Sequence, residues 1–149
     1  MSDLAMYDVV EKEKKQYIVV KIGGEHYGID ISYIDNIVRM SKITRVPKAP
    51  SYYRGVINLR GEVVPVMSLR RRMDLDDDEF TDASRIIILK LEQGGLMGVI
   101  VDEVKEVVAI PDEEIMDPSP FLKGGNSLIS GVGKKDEDLI SVFNLELLA

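Results

Sequence analysis

Short apolar runs rich in Val and Ile recur along the whole chain, separated by Gly, Pro, Asn or Asp. They fall at 17–22, 27–31, 43–46, 56–59, 63–67, 86–91, 96–101, 104–110, 129–132 and 139–143. Runs of this length, bounded by turn formers, predict an all-β chain of barrel or sandwich type. Gly23-Gly24 and Gly94-Gly95 each join two runs at hairpin spacing, and Asp136-Glu137-Asp138 breaks another pair. The clearest hairpin lies in 55–69, GVINLRGEVVPVMSL, where Val56-Ile57 and Val63-Val64 flank Asn58-Leu59-Arg60-Gly61. Gly61 suits the positive φ of a tight turn, and the Asn58 side chain can bond the nearby backbone. Pro65 cannot donate to a ladder, which predicts an edge strand or a bulge there. Helix is expected only at 32–39, with Ser32 as cap and Ile34, Ile37 and Val38 at helical spacing, and as a short turn from Leu145 to Leu148.

Laid over each other, the two halves match in order. Gly28-Ile29-Asp30-Ile31 matches Gly98-Val99-Ile100-Val101, and Ile34, Ile37 and Val38 match Val104, Val107 and Val108. Val46-Pro47 then matches Ile110-Pro111, Gly55-Val56 matches Gly131-Val132, and the stretch from Val63 to Leu69 matches that from Leu139 to Leu145. Five successive correspondences predict two five-strand repeats, about 16–73 and 85–148, with a boundary in the acidic segment 74–84. Each repeat is expected to close into a small barrel, because closure removes exposed sheet edges. A barrel of this size is marginal alone, so much of the stability should come from apolar surface shared between the two.

Composition narrows the function. A chain of 149 residues can bury roughly 70% of its unfolded surface and needs no staple. The absence of Cys excludes disulfides, Cys-ligated zinc and thiol nucleophiles. No apolar run suits a signal peptide or a bilayer crossing, which predicts a soluble chain. A net charge of -7 weighs against nucleic acid. Arg70-Arg71-Arg72 is answered by Asp74, Asp76, Asp77, Asp78 and Glu79, which predicts a solvated, charge-paired loop without the Gly and terminal Glu of a calcium site.

Catalytic groupings are missing. His26 follows a Gly-Gly turn with no nucleophile nearby and reads as structural. Ser130-Gly131-Val132-Gly133-Lys134-Lys135 lacks the leading Gly and the final Ser or Thr of a phosphate loop. Asp30, Asp35, Asp102 and Glu103 fall near strand ends, where capping and solvation account for them. No enzyme, cofactor or metal is expected, and binding surfaces remain. Arg60 stands at a loop tip beside a sheet, where recognition residues gather. Met116 and Phe121 are apolar candidates in a Pro-fixed region, and Phe121 fits either an interface anchor or a plug at a barrel end.

These residues resemble a known family. Tyr27-Gly28-Ile29-Asp30-Ile31, Gly55-Val56-Ile57-Asn58-Leu59-Arg60-Gly61, Val64-Pro65-Val66 and Gly98-Val99-Ile100-Val101-Asp102 with Val104 stand in the order and spacing of CheW-like proteins. The resemblance runs from about Gln16 to Leu148 and implies a single CheW-like domain over 1–149, built as two tandem SH3-like five-stranded β-barrels, with strands open to exchange between them. It also implies a chemotaxis adaptor that couples chemoreceptors to the histidine kinase CheA, in the cytoplasm and recruited to membrane-bound receptor arrays. An equivalent role in a non-flagellar pathway for surface motility is the alternative. Carried over by position, the receptor tip would meet Asn58, Arg60, Ile86 and Val99. The kinase's regulatory domain would meet Ile34 and Asn36, and a second ring-closing face would use Met116 and Phe121. Family members often carry a glutamate at the position of Asn36 to pair with the arginine matching Arg60, so here the resemblance implies only a hydrogen bond between Asn36, or a neighbouring carbonyl, and Arg60. Neither nucleic acid nor membrane insertion is implied.

Overall fold

The computed structural model describes residues 14–118 and 128–148. Among these residues ten strands run in order: β1 (Lys14–Ile22), β2 (Glu25–Asp30), β3 (Ile34–Arg39), β4 (Tyr53–Leu59), β5 (Glu62–Ser68), β6 (Arg85–Lys90), β7 (Leu96–Val101), β8 (Glu103–Pro111), β9 (Ile129–Lys135) and β10 (Asp138–Phe143). One helical turn follows β5 (α1, Leu69–Arg72) and another follows β10 (α2, Leu145–Leu148). The strands form two five-stranded sheets, β8-β1-β2-β10-β9 and β3-β6-β7-β5-β4. Advancing every strand by five places turns the first order into the second. Each sheet also has one parallel ladder in the same register, Val142 against Gly28 in one and Val66 against Gly98 in the other. Each sheet mixes strands from both halves of the chain, so a cut within 74–84 would not separate them.

Among the described residues, three apolar cores explain why the Val and Ile runs are so continuous. Tyr17, Val19, Val108, Ile110, Ile140 and Val142 fill the curl of the first sheet. Ile57, Val64, Val66, Ile86, Ile88 and Ile100 fill the second. The largest cluster lies between them, where Ile18, Val20, Ile22 and Ile29 meet Met67, Leu69, Ile87, Leu89 and Val99. Successive strand residues point to opposite faces, so β1 and β6 feed one barrel core with alternate residues and the shared core with the others. Burying one such side chain stabilises by about 1.5–3 kcal/mol, and the shared cluster is the largest of the three.

The ladders do not close completely. Among the described residues a single bridge joins the two ends of each sheet region, Thr44 to Val56 in one and Met116 to Val132 in the other. Each bridge has two backbone hydrogen bonds of 2.8–2.9 Å. SH3-like curls pinned at one point replace the fully closed barrels expected from sequence. The bridges also place Thr44 and Met116 in matching positions. Val46-Pro47 therefore does not correspond to Ile110-Pro111, which ends β8 opposite Lys15 and Lys14.

Three other expectations change. The expected strand 43–46 is reduced to the bridge at Thr44. The helix expected over 32–39 is a short 3-10 turn, Ile31–Tyr33, followed by β3; Asp30, not Ser32, caps that turn. A bulge between Ile34 and Asn36 explains the misleading spacing. The extra residue, Asp35, puts Ile34 and Ile37 on the same face, against the shared core. Finally, Pro65 lies in β5, an interior strand, with no bulge at that position. Its partner Val56 directs its own N–H and C=O to Thr44, away from β5, so no β4 carbonyl awaits a donor from Pro65. Pairing of β5 with β7 begins only at Val66. The missing N–H is therefore tolerated on both sides.

Candidate functional site

The β4–β5 hairpin ends in a two-residue turn, with Leu59 opposite Glu62 and only Arg60 and Gly61 between them. Both have positive φ, 51° at Arg60 and 84° at Gly61, the geometry that favours Asn-Gly. The Asn58 side-chain Oδ1 accepts from the Gly61 N–H at 3.0 Å and braces the turn. Arg60 is thus held in a conformation that side chains other than Asn or Asp rarely choose. Its side chain is 66% exposed and donates to the Asp35 carboxylate at 3.0 Å. Asn36 instead accepts from the neighbouring Ile37 N–H. The expected partner of Arg60 is therefore replaced by Asp35, and the hydrogen bond by an ion pair. Only the β3 bulge makes Asp35 available, and sequence spacing gives no sign of it.

Around this pair lies an open groove of about 550 Å³, bounded by Asp35, Leu59, Arg60, Glu62, Lys90 and Leu91 and by the Gly94-Gly95 turn. Three segments meet there: the edge strand β3, the β4–β5 hairpin and the β6–β7 hairpin. Of the four residues assigned to receptor contact, Arg60 lines this groove, while Asn58 is exposed nearby and braces the turn that carries Arg60. Ile86 and Val99 are completely buried, one inside the second barrel and the other in the shared core. Neither lines the groove. Ile34 and Asn36 stand on the edge strand β3, Ile34 half-buried and Asn36 exposed. Met116 is 47% exposed beside its bridge to Val132. Phe121 lies outside the described residues.

The basic and acidic runs after β5 form a built network rather than a solvated loop. Ser68 caps α1 by accepting from Arg71 N–H, and also donates to Asp78. Arg71 grips Asp77 through two hydrogen bonds of 2.8 and 2.9 Å. Arg54 reaches both Asp77 and Asp78, and the Asp78 side chain is only 2% exposed. Arg70 grips Asp102 at 2.5 and 3.1 Å, and the same carboxylate accepts from Gly23 N–H at 2.9 Å. Asp102 thereby ties α1, beside the second sheet, to the β1–β2 turn of the first.

Burial pushes the Asp102 pKa up, but the Arg70 and Gly23 hydrogen bonds and the nearby positive charges outweigh it, so the net shift is downward. Hydrogen bonds from Arg71 and the Asp78 N–H hold Asp77 well below the usual carboxylate range. Both carboxylates have lower pKa values folded than unfolded. The stability they contribute is complete above the unfolded value, about 4, and is lost as pH falls below it toward the folded values. Denaturant midpoints are expected to fall from pH 5 to pH 3, and less steeply in Asp102→Asn. Equal slopes in both proteins would contradict this role for Asp102.

Two matching SH3-like units around a shared core, with an exposed arginine at a hairpin tip and an edge strand at β3, suit a scaffold that binds other proteins. Residues 16–149 match the family model for the CheW-like domain, and the chain belongs to that family. It is 35% identical to the chemotaxis protein CheW of Bacillus subtilis over 89% of this chain and 85% of that one. It is 31% identical to that of Treponema pallidum over 93% and 84% respectively. A crystal structure of the scaffolding protein TtCheW from Thermoanaerobacter tengcongensis aligns with a TM-score of 0.84 at 33% identity, covering 91% of this chain and 92% of that one. The protein is a chemotaxis adaptor.

Proposed function

We propose that this adaptor couples chemoreceptors to a CheA-type histidine kinase, with the receptor's cytoplasmic tip in the Arg60 groove and the kinase's regulatory domain on the edge of β3. It acts by binding rather than turnover, in the cytoplasm at receptor arrays. The observation that carries this reading is the Arg60–Asp35 pair. It joins the proposed receptor groove to the strand that presents Ile34 and Asn36, so occupation of one surface bears directly on the other. An unpaired edge strand also offers backbone groups and side chains to a partner sheet. Met116 supplies part of a second protein contact at the opposite bridge. The halves 16–73 and 85–148 are read as copies of one ancestral unit, which the matching sheet orders support.

Titration calorimetry with the isolated regulatory domain of the kinase tests the pairing. Saturable binding is expected, and it should weaken by at least about tenfold, or 1.4 kcal/mol, in Ile34→Glu, where a carboxylate would be desolvated at the contact. Because Ile34 also packs on the shared core, Asn36→Arg at an exposed position serves as the second variant. It should weaken binding with an unchanged thermal melt. Full binding by both variants would overturn the placement on β3.

A further inference from the structure

Between Asn36 and Gly61 the chain carries Arg39, Lys42, Arg45, Lys48, Arg54 and Arg60 and no acidic residue, although the whole protein has a net charge of -7. The structure gathers part of this charge into a concavity of about 440 Å³ lined by Arg45, Val46, Lys48, Tyr53, Arg54 and Arg71. One side of it is already used. The protein's own acidic segment lies there, with Asp77 on Arg71 and Arg54, Asp78 on Arg54, and the Phe80 ring 4.9 Å from the Arg54 guanidinium. The other side is open: Arg45 and Lys48 are exposed and have no ion-pair partner among the described residues.

We propose that this open half is a docking site for an acidic segment of a partner protein, which would extend along the face that residues 77–80 already occupy. The site goes beyond the receptor and kinase surfaces assigned above and shares none of their residues. Guanidinium groups bind carboxylates through paired, charge-assisted hydrogen bonds, and the internal segment demonstrates that chemistry on this face. The loop is suited to binding without much ordering cost, since Pro47 and Pro50 restrict it on both sides of Lys48. Lys48 holds φ at 66°, where turn geometry alone would favour Gly or Asn. Val46, 42% exposed, adds an apolar contact beside the cations. A short acidic peptide fits better than a membrane or nucleic acid, because an extended polyanion would also meet the negative field of the rest of the protein.

Fluorescence anisotropy with a labelled peptide of four glutamates followed by phenylalanine tests this. Saturable binding at low salt is expected, declining as salt screens the charges. The paired substitution Arg45→Ser with Lys48→Asn should weaken it by at least about tenfold. Asn is chosen because it tolerates the left-handed backbone. The same loss of charge at Arg39→Ser with Lys42→Ser, at the end of β3 and the start of the following loop but outside the concavity, should leave most of the binding intact. Three results would each overturn the proposal: no saturation up to about 1 mM peptide, equal losses in both paired variants, or binding to phosphatidylserine vesicles but not to the peptide.

Discussion

Gly55→Ala should cost about 3–6 kcal/mol of folding stability, at the upper end of what single substitutions do. Gly55 has φ at 145°, and a Cβ there would lie 2.1 Å from the Thr44 carbonyl oxygen and 2.6 Å from its carbon. Both are backbone atoms, so no change of rotamer relieves the clash. The loop bearing Thr44 must move, which breaks the two hydrogen bonds of the Thr44–Val56 bridge. Each contributes about 1 kcal/mol net. The move also lifts Met40 and Ile43 from the second barrel core, and the new side chain holds a strained φ that costs about 1–3 kcal/mol. Gly61→Ala is the control. It has a positive φ but nothing within 4 Å of the added carbon, so it should lose only about 1 kcal/mol. Urea denaturation of both variants decides the point, and equal losses would mean that the bridge contributes little.

Arg60→Gly should separate function from stability. An arginine at left-handed φ costs about 1–2 kcal/mol, which glycine recovers. The exposed Arg60–Asp35 pair returns only about 0.2–1 kcal/mol, so the variant should be as stable as the parent or slightly more so. Activation of the kinase in reconstituted receptor complexes should nevertheless be lost, because the groove loses its charged fork and its tie to β3. A residue that turn chemistry disfavours, kept at the tip of the hairpin, fits a role in recognition better than one in folding. Full activation by a stably folded Arg60→Gly protein would refute that role.

Most of the strands and the hairpin turns were legible in the sequence because they depend on local chemistry: Val and Ile runs of strand length, and glycine pairs where φ must be positive. The shared core could also be inferred, since two five-strand units of this size lack apolar volume of their own. Long-range register was not legible. A bulge at Asp35 changed the face of Ile34, so a helical spacing concealed a strand, and it brought Asp35 rather than Asn36 to Arg60. Ile86 and Val99 matched the receptor-contact positions in linear order, yet alternation in doubly buried strands puts both inside. The charges of 70–79 suggested pairing, but not that Asp78 would be buried or that Arg70 would reach Asp102 across the chain.

Kinase activity in a reconstituted system is the most direct test of the coupling role. The cognate chemoreceptor, in membranes or nanodiscs, and its histidine kinase would be assayed for autophosphorylation with and without this protein. Addition of the protein should raise kinase activity several-fold and place it under control of the receptor's ligand. Identical activity in its presence and absence, with all three proteins folded, would contradict the account.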